Sequence, residues 1–326
     1  MDELLKMLQN KNSKPDCIYA LVGSTCTFKT AISVELAKKY SFEIISADSR
    51  LIYKGMDIGT SKPTYEEMGG IPHHMIDLVE PDCDYSVGLY KKQSETIVND
   101  IFKRGKTPLV VGGTGLYLNS VLLGLSIPEV KPDLSFRRQL KDKSQDDLYK
   151  RLYDIDPKAA QFIHKNDNFR TLRALEVIYK TNKLFSELKT INKPPFQIKW
   201  IGLTYENRNL HTDLIRKRVF SFCSNGLIDE IKKLVKKYGE LDLFKRTIGY
   251  SEVLDFLNNN IKIEDMIEKI TLHTKQLAKR QSTWFRANKN IDWLYLDNLS
   301  YETVLDRVFN LMQDGSFAKT SIEFKS

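Results

Sequence analysis

The amino-acid sequence predicts an α/β fold in which a parallel sheet core is interrupted by a helical insertion domain. Over the first third of the 326 residues, short apolar runs alternate with amphipathic helical patterns. This alternation is typical of a parallel sheet that is covered by helices. From Pro128 to about Lys193 the chain is charged, helical in pattern and free of glycine. A new apolar stretch over 196–205 then indicates a strand that returns to the sheet.

The individual elements follow from apolar periodicity and from turn residues. Strands are predicted at 17–22, 43–47, 74–79, 107–111, 196–205 and 293–296. Helices of the core are predicted at 29–40, 88–104, 210–224, 227–238 and 263–287, with a final helix after them. Pro194 and Pro195 end the helical insertion, because neither proline can continue a helix. We therefore expect a discontinuous core, 15–125 and 196–314, a helical insertion domain, 126–195, and a frayed end, 315–326.

Composition narrows the class of protein. Hydrophobic residues make up 41% and charged residues 28%, which supports a sizeable core and excludes a largely disordered chain. No apolar run approaches the roughly 18 residues of a membrane helix, and the first residues lack the apolar region of a secretory signal. The four cysteines form no CxxC pair, which argues against a zinc site and a disulfide framework. We expect a cytoplasmic protein with no membrane partner.

Charge is distributed unevenly along the chain. Residues 1–128 hold 14 Lys and Arg against 15 Asp and Glu, whereas residues 129–326 hold 36 against 27, so the net charges are −1 and +9. This asymmetry indicates a polyanionic partner, and nucleic acid is the leading candidate. Solvated, lysine-rich helix faces are an equally weighted alternative.

The segment after the first strand has the outline of a phosphate-binding loop, GxxxxGK[ST]. It consists of Gly23, Ser24, Thr25, Cys26, Thr27, Phe28, Lys29 and Thr30. Backbone N–H groups and the positive end of the following helix would hold phosphate oxygens, Lys29 would neutralise a terminal phosphate, and the Thr30 hydroxyl would bind Mg²⁺. Phe28 stands where the motif has its second glycine, so its bulk is expected to crowd the phosphates. The alternative is an ordinary strand–turn–helix connection with Lys29 in solvent.

Two further segments follow predicted strands and belong at the same edge of a parallel sheet, where ligands bind. Asp48 comes directly after the second strand, where a carboxylate can act as a general base or simply cap a turn. The glycine turn Gly112-Gly113-Thr114-Gly115 follows a later strand. Alone it is weak evidence for a ligand site, and a plain strand-to-helix turn is the preferred interpretation. The convergence of three such segments carries more weight than any one of them.

Basic residues recur at two places in the second part of the chain. Arg170 and Arg173 lie three positions apart on one helix face, which suits phosphate contacts, although a solvated face or pairing with Glu176 is equally possible. The segment 274–286 interleaves basic residues with Trp284 and Phe285. Its basic face suits nucleic-acid phosphates, whereas the aromatic residues are better explained as core anchors. The pair at 73–74, two histidines, lacks metal-ligand spacing and is interpreted as structural.

Taken together, these residues resemble the tRNA dimethylallyltransferases, also called tRNA isopentenyltransferases. The matching segments run in order along most of the chain: the loop at 23–30, IISADSR and YKGMDIGTSKP within 44–63, IPHHMIDL at 71–78, VGGTGLYL at 111–118, IHKNDNFRTLRALEV at 163–177, TIGYSEV at 247–253 and LAKRQSTWFR at 277–286. The combination is highly specific, although several single members are not. The resemblance implies a P-loop NTPase-like parallel sheet core and, by family, a monomer.

The resemblance also implies an activity. A dimethylallyl group would pass from dimethylallyl diphosphate to N6 of the adenosine 3′-adjacent to the anticodon, in tRNAs that read codons starting with U. Lys29, Thr30 with Mg²⁺ and the loop amides would stabilise the leaving diphosphate in this diphosphate- or nucleotide-binding loop. Asp48 would accept the N6 proton, Thr114 would position the reactants, and Arg137 matches a family arginine near the reacting adenosine. The adenosine would be flipped out of its stack.

Contacts with the tRNA anticodon stem-loop are implied for residues in several segments. They are Asp48, Ser49, Arg50 and Leu51; Thr114; Arg137; Phe169, Arg170, Thr171, Leu172 and Arg173; Thr247, Ile248, Gly249 and Tyr250; and Lys275, Lys279, Arg280 and Gln281. The sequence departs from the family pattern at the loop, which usually reads GPTASGKT, and at Leu51, where glutamine is usual. A tRNA-binding homologue with weakened or lost prenyl transfer is therefore the alternative function. A small-molecule kinase is a third possible function. The basic second part of the chain and the missing second glycine of the loop argue against it.

Overall fold

A six-stranded, all-parallel sheet organises the structure, a computed structural model that describes residues 17–125, 128, 130–188 and 195–313. The strands are β1 (Cys17–Gly23), β2 (Phe42–Ala47), β3 (His73–His74), β4 (Thr107–Gly112), β5 (Gln197–Thr204) and β6 (Ile291–Tyr295). Their order in the sheet is β3-β2-β4-β1-β5-β6. The central strands are buried almost throughout, as expected for a parallel sheet with helices on both faces.

Helices connect the strands and form a second compact unit. In chain order they are α1 (Lys29–Tyr40), α2 (Tyr65–Met68), α3 (Val87–Lys103), α4 (Gly115–Leu122), α5 (Leu134–Gln139), α6 (Gln145–Ile155), α7 (Pro157–Phe162), α8 (Asn168–Thr181), α9 (Phe185–Leu188), α10 (Arg208–Ser224), α11 (Leu227–Tyr238), α12 (Asp242–Lys245), α13 (Tyr250–Leu257), α14 (Ile263–Arg286) and α15 (Tyr301–Gln313). None of the helices in the described ranges combines the length and the apolarity needed to cross a bilayer.

Contacts within the described residues divide the chain into two compact units. The first unit contains 17–118 and 195–313 and carries the whole sheet, and the second contains 119–188. The second unit has its own small core, in which Phe136, Leu148, Leu152 and Leu175 are buried together. Within it, Asp156 caps α7 by accepting a hydrogen bond from the backbone N–H of Ala159.

The order of the strands brings three loops to one edge of the sheet. Strand β4 lies between β1 and β2, and Gly112 at its end pairs in register with Val22 on one side and Ala47 on the other. A Cβ at Gly112 would lie 2.3 Å from the carbonyl oxygen of Ala47, so only glycine permits this approach. The segments that begin at Gly23, Asp48 and Gly113 therefore leave the sheet side by side.

One predicted strand differs from the structure. The apolar run 74–79 does not form a strand; only His73–His74 pairs with β2, and Val79 makes an isolated bridge to Tyr53. The reason is local, because Met75 and Asp77 adopt left-handed backbone conformations with φ of +65° and +54°, which break the extended chain. The predicted frayed end at 315–326 lies outside the described residues, as do residues 1–16.

Candidate functional site

A cavity of about 1000 Å³ opens within the first unit, at the carboxyl ends of β1, β2 and β4. Its lining includes residues from all three segments that the sequence singled out. From the predicted set, the lining residues are Thr25, Cys26, Thr27, Phe28, Lys29, Thr30, Asp48, Ser49, Arg50, Leu51, Thr114, Thr247, Ile248, Gly249, Arg280 and Gln281. The tertiary structure thus gathers five separated segments around one space.

The loop after β1 has the backbone of an anion-binding turn. Gly23 has φ of +152°, and a Cβ there would lie 2.3 Å from the carbonyl oxygen of Leu203. Cys26 and Phe28 both adopt left-handed conformations, with φ of +61° and +58°. No side chain caps α1, and its first turn holds no acidic residue. The positive end of α1 is therefore neutralised by no acidic side chain of its own first turn, and Lys29 and Thr30 at this end line the cavity, which suits an anion.

Lys29 is held at the base of this loop. Its ammonium donates hydrogen bonds to the carbonyl oxygen of Ser24 at 2.5 Å and to Oγ1 of Thr27 at 3.3 Å. Burial, with the positive charge of Arg218 acting in the same direction, lowers the pKa of Lys29 to about 8. The alternative in which Lys29 lies in solvent is wrong.

Helices remote in sequence engage every polar group of Thr25. Its N–H donates to Oε1 of Gln281 at 3.0 Å, and its hydroxyl accepts from Nη1 of Arg218 at 3.0 Å. Its carbonyl oxygen lies 2.9 Å from Nε2 of His211, whose pKa is lowered mainly by burial. Arg218 and His211 come from α10, which packs against α14. Sequence reasoning missed both residues, because no local motif marks them.

Phe28 packs beside the loop. Its ring makes an edge contact with Tyr301 at a centroid distance of 6.2 Å, and both residues line the cavity. The side chain remains 44% exposed. Phe28 therefore adopts a left-handed backbone conformation that glycine adopts freely but that is strained for a residue with a Cβ.

Asp48 and Thr114 are joined through the backbone of the two neighbouring loops. Oγ1 of Thr114 accepts a hydrogen bond from Ser49 N–H at 3.1 Å, and Thr114 N–H donates to Ala47 O at 3.0 Å. One carboxylate oxygen of Asp48, Oδ1, accepts from Arg50 N–H at 2.8 Å. Asp48 therefore closes a turn and also lines the cavity, so the two alternatives for this residue are compatible.

The glycine turn admits side chains from α14. A Cβ at Gly113 would lie 2.2 Å from Nε2 of Gln281, and a Cβ at Gly115 would lie 2.0 Å from Nε1 of Trp284. Phe285 is buried, as predicted for a core anchor, whereas Trp284 is 40% exposed and covers Gly115. The turn is thus a close-packing site as well as part of the cavity wall.

The cavity is electropositive on balance. Its basic lining residues are Lys29, Lys38, Arg50, Arg218, Arg246 and Arg280, and its acidic ones are Glu35, Asp48, Glu66 and Glu67. No group of three His, Cys, Asp or Glu side chains in the described residues is arranged to hold a metal ion. Thr30 lines the cavity at the start of α1. It fits a Mg²⁺ ion that takes one protein ligand and most of its oxygens from a substrate diphosphate.

In the second unit, two of the predicted arginines, Arg137 and Arg173, converge on a buried carboxylate, whereas Arg170 pairs with Asp167. Glu176 accepts hydrogen bonds from Nε and Nη2 of Arg137 at 2.8 and 3.1 Å, and from Nη1 of Arg173 at 2.5 Å. Burial acts to raise the pKa of Glu176, but these bonds and one from Asp133 N–H hold it below its ordinary value. Pairing with Glu176, one of the alternatives for Arg173, is therefore observed.

Two of the residues predicted to touch tRNA have buried side chains. Tyr250 is fully buried and donates its hydroxyl to Oε1 of Glu230, and Thr171 is fully buried and donates its hydroxyl to Asp167 O. Their side chains hold core structure and are closed to a macromolecule. By contrast, Phe169, Arg170, Lys275 and Lys279 are exposed. Histidines at 73 and 74 bond to Ile71 O and Glu43 respectively, in line with a structural role.

Comparison with known proteins connects this site to a family. The family model for IPP transferase matches residues 51–288, and the model for isopentenyl transferase matches residues 16–78. The chain belongs to the IPP transferase family. The two matches together span the loop after β1, Asp48 and the glycine turn.

Relatives in this family cover nearly the whole chain. A tRNA dimethylallyltransferase of Caldanaerobacter subterraneus subsp. tengcongensis is 40% identical over 305 residues, which are 90% of this chain and 97% of the relative. One of Dictyoglomus turgidum is 41% identical over 296 residues, 89% of this chain and 90% of the relative.

Solved structures of family members have the same fold. The full-length tRNA isopentenylpyrophosphate transferase of Bacillus halodurans has a TM-score of 0.69 at 36% identity, covering 92% of this chain and 96% of that one. A eukaryotic dimethylallyltransferase acting on tRNA has a TM-score of 0.77 at 27% identity, covering 94% of this chain and 81% of that one. The predicted P-loop NTPase-like α/β core is confirmed.

Proposed function

We propose that this protein is a tRNA dimethylallyltransferase. It transfers a dimethylallyl group from dimethylallyl diphosphate to N6 of the adenosine 3′-adjacent to the anticodon, in tRNAs that read codons starting with U. The observation that supports the proposal is that the helix terminus of α1, which no side chain caps, and the carboxylate of Asp48 line the same cavity. The helix terminus suits a leaving diphosphate, and the Asp48 carboxylate suits an acceptor amine.

Each residue of the cavity has a separate role in the proposed reaction. The N6 lone pair attacks the allylic carbon, the bond from that carbon to the diphosphate oxygen breaks, and the diphosphate takes the electron pair. Asp48 receives the proton that N6 loses. The loop amides, Lys29 and Arg218 stabilise the charge on the departing diphosphate. Mg²⁺ held at Thr30 would add Lewis-acid stabilisation of the same oxygens.

The size and charge of the site suit a nucleotide taken out of its stack. A base inside duplex or stacked RNA cannot reach a carboxylate inside a cavity, so the adenosine must be flipped. The basic lining residues Arg50, Arg246 and Arg280 are placed to hold the RNA phosphates around it. A monomer is the proposed state, because one chain contributes every residue that this reaction needs.

Radiolabelled dimethylallyl diphosphate and an unmodified tRNA transcript test the proposal. We expect label at the adenosine 3′ to the anticodon, located by nuclease digestion, and none in a transcript with guanosine there. Binding of tRNA without label would instead indicate a tRNA-binding homologue that has lost transfer. Phosphorylation of a small metabolite by ATP would indicate a kinase.

Asp48 has its own test. Asn at position 48 keeps an oxygen that can accept from Arg50 N–H but cannot take the N6 proton. We expect Asp48→Asn and Asp48→Ala to lower kcat by about 10²- to 10⁴-fold, while tRNA affinity, measured by filter binding, is nearly unchanged. Unchanged turnover in either variant would remove Asp48 from its role as base.

A further inference from the structure

The side chain of Gln281 bridges two loops that belong to opposite ends of the proposed reaction. Its Oε1 accepts from Thr25 N–H at 3.0 Å in the phosphate-binding loop, and its Nε2 donates to Gly113 O at 3.1 Å in the glycine turn. Both ends of one amide are thus engaged inside the protein. We propose that Gln281 is a positioning residue that fixes the diphosphate site relative to the acceptor site.

The glycine turn is shaped to receive this amide. A Cβ at Gly113 would lie 2.2 Å from Nε2 of Gln281, so a side chain at that position would displace the amide from the turn. Trp284, three residues further along the same face of α14, makes the equivalent approach to Gly115. Two close approaches on one helix face fix the position of α14 against the turn.

The bridge continues from the turn to the proposed base. Gly113 precedes Thr114, whose N–H and Oγ1 bond to Ala47 O and Ser49 N–H on either side of Asp48. Gln281 therefore stands two hydrogen bonds from the backbone that flanks Asp48, and one hydrogen bond from the 23–30 loop. Its amide sets the separation between leaving group and base.

Gln281 can be tested without losing the loop, because Thr25 has other partners. His211 and Arg218 hold the carbonyl and hydroxyl of Thr25 from α10, and they do not contact the glycine turn through any hydrogen bond in the described residues. Loss of the Gln281 amide is expected to leave the loop folded but free to shift relative to Thr114 and Asp48. Family resemblance alone assigned Gln281 to tRNA contact, which predicts a different kinetic outcome.

This inference rests on the proposed function, so its experiment has one readout that needs no turnover. Gln281→Met keeps length and volume but removes both hydrogen bonds. The matched control is Gln276→Met, five residues earlier on α14, where the glutamine is exposed and does not line the cavity. Hydrogen exchange of the 23–30 segment and prenyl-transfer kinetics are measured on both variants and on the parent.

We expect Gln281→Met to lower kcat by about 100-fold, as for a misplacement of reacting groups by about 1 Å. The Kd values for tRNA and for inorganic diphosphate are expected to stay within about threefold of the parent. The Thr25 amide should exchange faster, and Gln276→Met should match the parent throughout. Weaker tRNA binding with kcat unchanged would overturn the proposal in favour of a tRNA contact, and unchanged Thr25 exchange would overturn the bridge itself. Absence of transfer by the parent would count against the proposed function, with the exchange result still deciding the bridge.

Discussion

Arg218 and Thr25 lie 193 positions apart in the sequence, yet Nη1 of Arg218 donates to the Thr25 hydroxyl at 3.0 Å. The same nitrogen lies 3.6 Å from Sγ of Cys26. A guanidinium from α10 thus holds the 23–30 loop and adds a positive charge beside Lys29. The charge and the geometry of the 23–30 loop therefore depend on α10, which lies outside the loop motif.

Replacement of this guanidinium should weaken the diphosphate site selectively. Charge-assisted hydrogen bonds contribute about 1.5–3 kcal/mol, so we expect Arg218→Gln to raise KM for dimethylallyl diphosphate by about 10- to 100-fold. The Kd for tRNA should be unchanged. Arg216→Gln is the matched control, because Arg216 lies on the same helix and pairs with exposed Glu268. Equal KM values for the two variants would contradict the assignment.

Activity should decline in alkaline solution through Lys29. Its folded-state pKa of about 8 lies below the ordinary lysine value because of burial and Arg218, so the ammonium is present below about pH 7 and is lost as pH rises through 8. If the charged form binds diphosphate, kcat/KM for dimethylallyl diphosphate falls about tenfold per pH unit above the pKa. In Lys29→Arg the guanidinium stays charged, so that variant should lack the decline. If kcat/KM of Lys29→Arg declined with the same midpoint, the decline would be due to the titration of another group.

Phe28 allows backbone strain and ring packing to be separated. Phe28→Ala removes the contact with Tyr301 but keeps a left-handed Cβ residue, whereas Phe28→Gly removes both. We expect Phe28→Gly to be more stable than Phe28→Ala by about 1 kcal/mol in chemical denaturation, since only glycine adopts this conformation freely. Equal stabilities would show that the loop is unstrained. If the ring also crowds the phosphates, both variants should bind inorganic diphosphate more tightly than the parent.

The exposed basic residues of α14 should give tRNA binding part of its salt dependence. Lys279 and Arg280 are exposed, and Arg280 lines the cavity. For each RNA phosphate that the protein no longer neutralises, the slope of log Kobs against log salt should become shallower by about 0.7–0.9. We expect Lys279→Gln with Arg280→Gln to lower affinity and reduce the slope by up to twice that amount. An unchanged slope would mean that the +8 net charge serves solubility at these positions. Arg173 is unsuited to this test, because its removal would leave Glu176 underpaired in a core.

Most of the elements of the core could be predicted from the sequence alone. Helices α1 and α11 begin and end where the apolar periodicity placed them, because burial of one face imposes a repeat of 3.6 residues. The strand predicted at 74–79 was wrong, because an apolar pattern carries no information on φ and two residues with left-handed φ interrupt the strand. Fully and partly buried members of one motif, such as Tyr250 and Ile248, could not be distinguished, since a matching motif carries no information on side-chain exposure.

The sequence by itself determined the loop at 23–30, the carboxylate at Asp48 and the glycine turn, because these depend on local backbone requirements and on the rule that parallel strands end at one edge. Only the tertiary structure decided what holds them together. His211, Arg218 and Gln281 converge on Thr25 because α10 packs against α14 and α14 packs against β1. Such long-range hydrogen bonds leave no periodic trace in the chain, since their partners are fixed by packing and not by spacing.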